Sequence, residues 1–338
     1  MSDLLAALDL GSNTFRLLLA PADPDVSALA ARRVWQEFPR LSEGLKPGGR
    51  LGAEPLQRAW AALDAFEAVL AAERPRKVLA GATMFARQAA DGPEFLAEAA
   101  RRYGWETTLL SGTQEAFLSA AGVLSSLAPR PSEALIFDVG GRSTEFVKVE
   151  GGRIVQTQSL ELGVVGLTEQ FVSGAPARPE ELAAVAAEVR RRLAAAVWRP
   201  LSSESILAGT AGTVTTVTAM LLKLPKYDPA LINNSVVERQ AAETLLAELA
   251  AETLERRHAR VGLHPKRADV IVAGLAEVVA VLDFFQKDRL TVSDGSLLEG
   301  LWLAAAGLTP LEPPSFETPT PAPASVPPSP PSSPEVGP

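Results

Sequence analysis

Two stretches of this chain place an aspartate at the end of an apolar strand, directly before a turn of small residues. The first reads Asp9-Leu10-Gly11-Ser12-Asn13-Thr14, and the second Asp138-Val139-Gly140-Gly141-Arg142-Ser143-Thr144-Glu145. A second apolar strand follows each. Glycine lets the backbone turn tightly and bring N–H donors against an anion. Ser12, Asn13, Thr14, Ser143 and Thr144 add short side-chain donors suited to phosphate oxygens. An aspartate at each strand end can hold Mg2+, with Mn2+ as its substitute, mainly through water, since Mg2+ keeps several waters while bridging to phosphate. Either copy alone is equally an ordinary β-hairpin. Two copies with matched flanking strands point to two related halves facing each other across a phosphate.

Three further stations lie where a strand gives way to a helix. Arg87 follows the strand ending at Ala80-Gly81-Ala82-Thr83, the end at which open α/β sheets bind ligands. Its planar fork suits a phosphate as well as a surface ion pair. In Ser111-Gly112-Thr113-Gln114-Glu115 the glutamate falls in a first helical turn. Capping and the helix dipole stabilise a carboxylate there, and it could also orient a water. In Gly209-Thr210-Ala211-Gly212-Thr213 a glycine-rich turn opens a helix, which serves an anion site or simply close helix–strand packing. Asp294 reads as the cap of a last helix.

These positions need a scaffold, and the pattern supplies one. Strand-like runs occur near 4–9, 14–20, 33–38, 76–82 and 106–111, with helices near 53–73, 91–103 and 114–127. Leu56, Trp60, Leu63, Phe66, Val69 and Leu70 share one face of the first helix. The plan then repeats, with strands near 133–138, 144–149, 153–160, 204–208 and 289–293. Helices follow near 164–173, 179–198, 212–222, 237–256, 267–286 and 295–306. The expectation is an α/β protein of two similar domains, each a mixed sheet flanked by helices, with the active site in the cleft between them. Residues 1–128 form the first and 129–308 the second, divided at Ala128-Pro129-Arg130-Pro131, and the helix at 295–306 packs back on the first. From 309 to 338 the chain holds twelve of its 27 prolines and no basic residue. Such a segment buries too little apolar surface to offset its entropy and reads as a disordered tail.

Composition removes several classes of function. With 47% apolar and 21% charged residues over 338 positions, the chain can build two cores, and no apolar run is long enough for a membrane span. Lacking cysteine, it has no disulfide or thiolate metal site, and with no signal-peptide pattern a cytoplasmic location is expected. Only His258 and His264 are present, so acid–base work falls to carboxylates. A formal charge of −8 argues against nucleic acid as a partner. A polyanion would need a local basic surface; Arg190-Arg191-Arg192, Arg256-Arg257 with Arg260, and Lys266-Arg267 are candidates, although each taken singly reads first as a solvated helix face. Apolar helices in the second half are compatible with a homodimer.

Taken together, the stations resemble the exopolyphosphatase and guanosine pentaphosphate phosphatase family, within the actin, hexokinase and heat-shock ATPase superfamily. The resemblance runs from residue 4 to 307. Its motifs are 9–14, Arg40-Leu-Ser-Glu-Gly-Leu45, 82–89, 111–116, 138–145, 162–168, 209–214 and 292–300. It implies two ribonuclease-H-like domains closing over a magnesium-bound phosphate chain. It makes Glu115 the catalytic glutamate, Arg87 a phosphate ligand, Asp9 and Asp138 the metal-associated aspartates, and Glu145 a further active-site carboxylate. The implied activity is release of the terminal phosphate of inorganic polyphosphate or guanosine pentaphosphate, in the short form without an added helical domain. Alternatives are a small-molecule kinase of the superfamily and a non-catalytic polyphosphate or alarmone sensor. Three positions depart from the pattern. Gln114 replaces a glutamate, which should make Glu115 easier to ionise. Arg142 replaces the third glycine of the second loop, where it either costs roughly 1–2 kcal/mol if that position needs positive φ or adds its guanidinium to the phosphate-binding set. Leu298 replaces an arginine near the last helix.

Overall fold

The computed structural model describes residues 3–23 and 26–316. Two sheets organise them. The first contains β1 (Leu4–Leu10), β2 (Phe15–Pro21), β3 (Arg33–Glu37), β4 (Lys77–Ala82) and β5 (Glu106–Leu109), in the order β3-β2-β1-β4-β5. The second contains β6 (Ala134–Val139), β7 (Thr144–Glu150), β8 (Arg153–Leu160), β9 (Ile206–Thr210), β10 (Val236–Glu238) and β11 (Arg289–Val292), in the order β10-β11-β9-β6-β7-β8. In both, an antiparallel three-strand meander leads into parallel strands, so β1 corresponds to β6 and β4 to β9. The expected duplication is present strand for strand, with β10 added at the edge of the second sheet.

The helices are α1 (Ala53–Glu73), α2 (Met84–Gln88), α3 (Gly92–Tyr103), α4 (Gly112–Ser126), α5 (Val164–Phe171) and α6 (Pro179–Ala195). They continue with α7 (Ala211–Leu221), α8 (Pro229–Ile232), α9 (Arg239–Ala251), α10 (Leu254–His258), α11 (Ile271–Phe284) and α12 (Leu297–Ala305). One long helix was expected over 237–256. Residues 236–238 instead pair with β11, and Thr253 ends the run by capping α10, its hydroxyl accepting from the Arg256 N–H.

Alternation along the strands decides which side each aspartate faces. In β1, Ala6, Leu8 and Leu10 pack with α1 and α3, whereas Leu5 and Ala7 pack with α4 and α12. In β6, Leu135 and Phe137 join the core under α6, α7 and α11, whereas Ala134 and Ile136 pack on α4. Side chains two apart share a face. Asp9 and Asp138 therefore both point to the side occupied by α4, which lies between the two sheets.

The last helix returns to the first sheet. Leu297, Leu298, Leu301 and Trp302 are buried against Leu5, Leu79, Leu110 and Leu118. Glycine permits the crossing of α12 on α4: a Cβ at Gly122 would stand 1.9 Å from the Ser296 carbonyl, and one at Gly300 1.9 Å from that of Leu118. Beyond α12 the chain reverses at Gly307 (φ 75°), and Leu311 and Phe316 pack on the same core. The beginning of the tail is thus anchored by its two large apolar side chains, and 317–338 lies outside the described residues.

Candidate active site

The two acidic hairpins turn in the same way. Gly11 N–H donates to Thr14 O (3.1 Å), and Gly140 N–H to Ser143 O (3.0 Å). A Cβ at either glycine would stand 2.8 Å or 2.6 Å from that accepting oxygen, so both turns are closed to larger residues. Residues 40–42 back the first loop, through Ser42 N–H to Ser12 O and Arg40 N–H to Asn13 O. The start of α5 backs the second, through Val164 and Val165 N–H to the carbonyls of Gly140 and Gly141. The loops meet face to face, since a Cβ built on Gly141 would touch Ser12 and Asn13 at 3.2–3.4 Å.

Between them lies a cavity of about 100 Å³. Asp9, Gly11, Ser12, Asn13 and Thr14 line it from one sheet; Asp138, Gly140, Gly141, Ser143 and Glu145 line it from the other. Glu115 reaches it from the first turn of α4, and Gly212 and Thr213 from the start of α7. Thr83 and Arg16, not singled out as ligands in the sequence, and Arg267, from the third basic cluster, also line it.

Acidic side chains outnumber basic ones in the cavity. Arg16 Nη2 and Nε donate to Asp9 Oδ2 at 2.6 and 3.0 Å. Burial opposes charge on Arg16, but Asp9 and then Glu299 more than offset it and raise its pKa. Ser119, one turn beyond Glu115, donates a short hydrogen bond to Asp138 Oδ2. Burial raises the Asp138 pKa, with Ser119 and Arg16 pulling the other way. Glu115 accepts from Arg87 Nη1 at 2.8 Å. Burial lifts it to about 7; Arg87 restrains the rise, while Asp9 and Asp138 add to it. Glu145 accepts from Ser159 (2.8 Å) and is held well above the carboxylate range by burial, then by Glu115 and Asp138. Four carboxyl groups in so small a space destabilise one another's charge, which a cation would relieve. Arg16 and Ser119 both engage Oδ2 atoms, leaving Oδ1 of Asp9 and of Asp138 for a hard divalent ion or its waters. No group of three His, Cys, Asp or Glu that could cage an ion occurs among the described residues. This donor set fits an ion that keeps waters and shares its coordination with a phosphate.

Residues 36–307 match the model of the Ppx/GppA phosphatase family. The chain belongs to that family. It is 31% identical to an exopolyphosphatase 2 of Mycobacterium tuberculosis over 315 residues, covering 90% of this chain and 98% of that one. A solved Aquifex aeolicus PPX-GPPA enzyme has 28% identity and a TM-score of 0.73, covering 89% of this chain and 99% of that one. An exopolyphosphatase from Cytophaga hutchinsonii shares the fold at 23% identity, with a TM-score of 0.79, covering 91% and 99%. The architecture is therefore the α/β, actin-like one that the sequence resemblance implies, and the chain is a phosphatase by family.

Within this Ppx/GppA chain, several expected ligands sit one step behind the cavity. Arg87 does not line it; its guanidinium bonds Glu115 and the Leu110 carbonyl (2.5 Å). Arg142 donates to Ser42 O (2.5 Å) and pairs with Glu169 at 2.7 Å, tying the second loop to the segment behind the first. Its backbone is outside the positive-φ region, so no strain attends the replaced glycine. Thr144 is buried and donates to Glu277 Oε1 (2.5 Å). Gly209 packs on Phe137, and Thr210 donates to the Ser293 and Gly295 carbonyls, while Ala211 takes φ 68° to turn Gly212 and Thr213 inward. Ser296 caps α12, and Asp294 instead accepts from Arg32 and Tyr227.

Of the three basic clusters, only the last reaches the site. Arg190 pairs with Asp283, Arg191 and Arg192 with Glu188, and Arg260 with Glu248 and Glu252, while buried Arg257 donates to the Leu249 carbonyl. Arg267 stacks on Phe38 (5.5 Å) and lies against Gly212, where burial and Arg16 lower its pKa to about 10. It also borders a larger cavity of about 710 Å³, which shares Arg16, Ala211, Gly212 and Arg267 with the small one. Leu298 lines this chamber, and Arg32 supplies a cation beside it, paired with Asp294 (2.5 Å) and Glu299 (3.3 Å).

Proposed function

We propose that the chain hydrolyses the terminal phosphoanhydride of a phosphate chain, releasing orthophosphate from inorganic polyphosphate first and from guanosine pentaphosphate second. The supporting observation is that Asp9 and Asp138, from duplicated hairpins, open onto one cavity with Glu115 beside them. Similarity to an exopolyphosphatase over nearly the whole chain supports the same substrate class.

In this reading the terminal phosphoryl group sits between residues 11–14 and 140–144, and the rest of the chain passes Arg16 and Arg267 into the larger cavity. The small cavity lies below the size range of organic-ligand pockets, whereas the larger falls within it. Glu115, with its pKa near 7, accepts a proton from the attacking water as oxygen approaches phosphorus. The bond to the bridging oxygen breaks, and the departing chain takes the electron pair while Arg267 offsets its charge. Asp9 and Asp138 would hold Mg2+ or Mn2+, which supplies charge neutralisation on the phosphate oxygens. Positioning and neutralisation carry most of phosphoryl transfer. Burial, then Glu115 and Asp138, favour the neutral form of Glu145, which would limit the negative charge facing the phosphate.

Orthophosphate release measured side by side on long polyphosphate, short polyphosphate and guanosine pentaphosphate, with Mg2+ and without, tests the proposal. Turnover of a polyphosphate is expected. No release from any of the three at saturating Mg2+ would refute it.

A further inference from the structure

Gln114 and Glu312 lie 198 positions apart and meet beside the catalytic helix. Both ends of the Gln114 amide are engaged. Its Oε1 accepts from Ser111 N–H (2.7 Å), completing the capping box of α4 with Ser111 Oγ, which accepts from Gln114 N–H (3.1 Å). Its Nε2 donates to Glu312 Oε1 at 2.7 Å. The next residue is Glu115, whose own N–H closes the first turn onto Ser111 O (2.9 Å). Two apolar anchors seat the segment that brings Glu312 here: Leu311 packs on the core beneath α12, and Phe316 lies against Phe117 of α4 (centroids 6.3 Å). The Gly307 reversal directs the chain there, with Leu308 N–H donating back to Leu303 O.

The chemistry at these two positions is matched. A carboxylate at 114 could accept from Ser111 but has no hydrogen to give Glu312, and two carboxylates at this distance repel. An amide at 114 does both tasks. A hydrogen bond to a charged acceptor is among the stronger ones, and this one bears on the turn that aims Glu115 at the cavity.

We propose that Glu312 is a positioning residue: through Gln114 it fixes the first turn of α4 and so the approach of Glu115 to the substrate. This rests on the role given to Glu115 above. The segment 308–316 is then a strap over the base-bearing helix, and its contribution falls on turnover and leaves substrate binding alone.

Three full-length variants test it: Gln114→Glu, Glu312→Gln and the exchange Gln114→Glu/Glu312→Gln. In orthophosphate release, Gln114→Glu should lower kcat about tenfold with KM unchanged and move the pH profile, the size of change that losing one charge-assisted hydrogen bond gives. Glu312→Gln should be mild, since its carbonyl still accepts. The exchange should recover most of the lost kcat, because the amide then placed at 312 can donate to the carboxylate placed at 114. A Gln114→Glu enzyme with wild-type kcat, or an exchange that rescues nothing, overturns the proposal. Hydrogen exchange at the Gln114 and Glu115 amides reads the same contact without any reaction. Glu312→Ala should speed it about tenfold, and unchanged protection also overturns the strap. Wild-type protein that turns over no substrate but shows the exchange effect would sink the hydrolase reading alone.

Discussion

Arg16 occupies in the first sheet the register position that Glu145 occupies in the second. Asp9 pairs with Arg16 across β1 and β2, and Asp138 with Glu145 across β6 and β7. The duplicated hairpins therefore present the same scaffold with an arginine at one corner of the first and a glutamate at that corner of the second. A site with glutamate at both positions would gather five carboxyl groups around a polyanion, counting Asp9, Asp138 and Glu115. The arginine gives one hairpin a cation that pairs with Asp9 and, in the proposed reading, also faces the incoming phosphate.

Arg16→Gln should accordingly reduce kcat/KM about ten- to a hundredfold, the scale expected for charge-assisted hydrogen bonds worth ~1.5–3 kcal/mol. It should also cost stability, because Asp9 stays buried without its partner. With Arg16 about a fifth exposed, solvent screening keeps that cost to about 1–3 kcal/mol. Chemical denaturation and phosphate release measured on one preparation check both, and an unchanged kcat/KM would remove Arg16 from the site.

Activity should rise as pH increases through about 7. Glu115 must be deprotonated to accept a proton, and burial has raised its pKa to that value. Glu115→Gln should abolish this limb and lower kcat by about 10²–10⁴, the usual contribution of a general base, with the fold intact. Arg87 lowers the Glu115 pKa, so Arg87→Gln should shift the limb to higher pH and recover part of its rate there. A limb moved toward acid would contradict the pairing.

Part of this arrangement was legible in the sequence because the hairpin pattern repeats. The two copies put Asp9 and Asp138 at strand ends before matching turns, and the family resemblance singled out Glu115. That both aspartates face one side emerges only from the packing of their strands. What stayed hidden depends on partners distant in sequence. Arg16 is an ordinary strand residue until cross-strand register sets it opposite Asp9. Arg267 looked like any basic surface residue, and only the folding of 262–268 against Phe38 and Gly212 brings it inward. Arg87 and Arg142 were recognisable as anion-binding residue types, yet Glu115 and Glu169 lie nearer to hand. The break before α10 turned on one threonine hydroxyl, too local a signal to outweigh helical periodicity.

Stability should fall as pH rises because of Glu277. This carboxyl is fully buried beneath the second loop, where it accepts from Thr144, and its Oε2 has no hydrogen-bond partner among the described residues. Burial raises its pKa from 4.5 to about 8, against a smaller lowering by Thr144. The folded state then binds the proton more tightly than the unfolded chain. Its stabilising contribution is complete below 4.5 and is lost as pH rises through about 8. Glu277→Gln, neutral at every pH, should flatten that part of the profile in denaturation titrations. A variant that keeps the wild-type slope would mean another group carries it.

Gly212 should prove necessary for binding and dispensable for folding. A Cβ there would lie 1.7 Å from Arg267 Nη1 and 2.2 Å from its Cζ, so alanine must push the guanidinium away from the point shared by the two cavities. The displaced atoms end a flexible side chain, and alanine favours the helix over glycine by up to ~1 kcal/mol, so stability should hold or improve slightly. If Arg267 neutralises the phosphate chain in the bound state as well as in the transition state, Gly212→Ala should raise KM more than it lowers kcat. Arg267→Gln should do the same, and the double variant should be no worse than the more impaired single one, because both remove one interaction. Additive losses would place the two residues in separate roles.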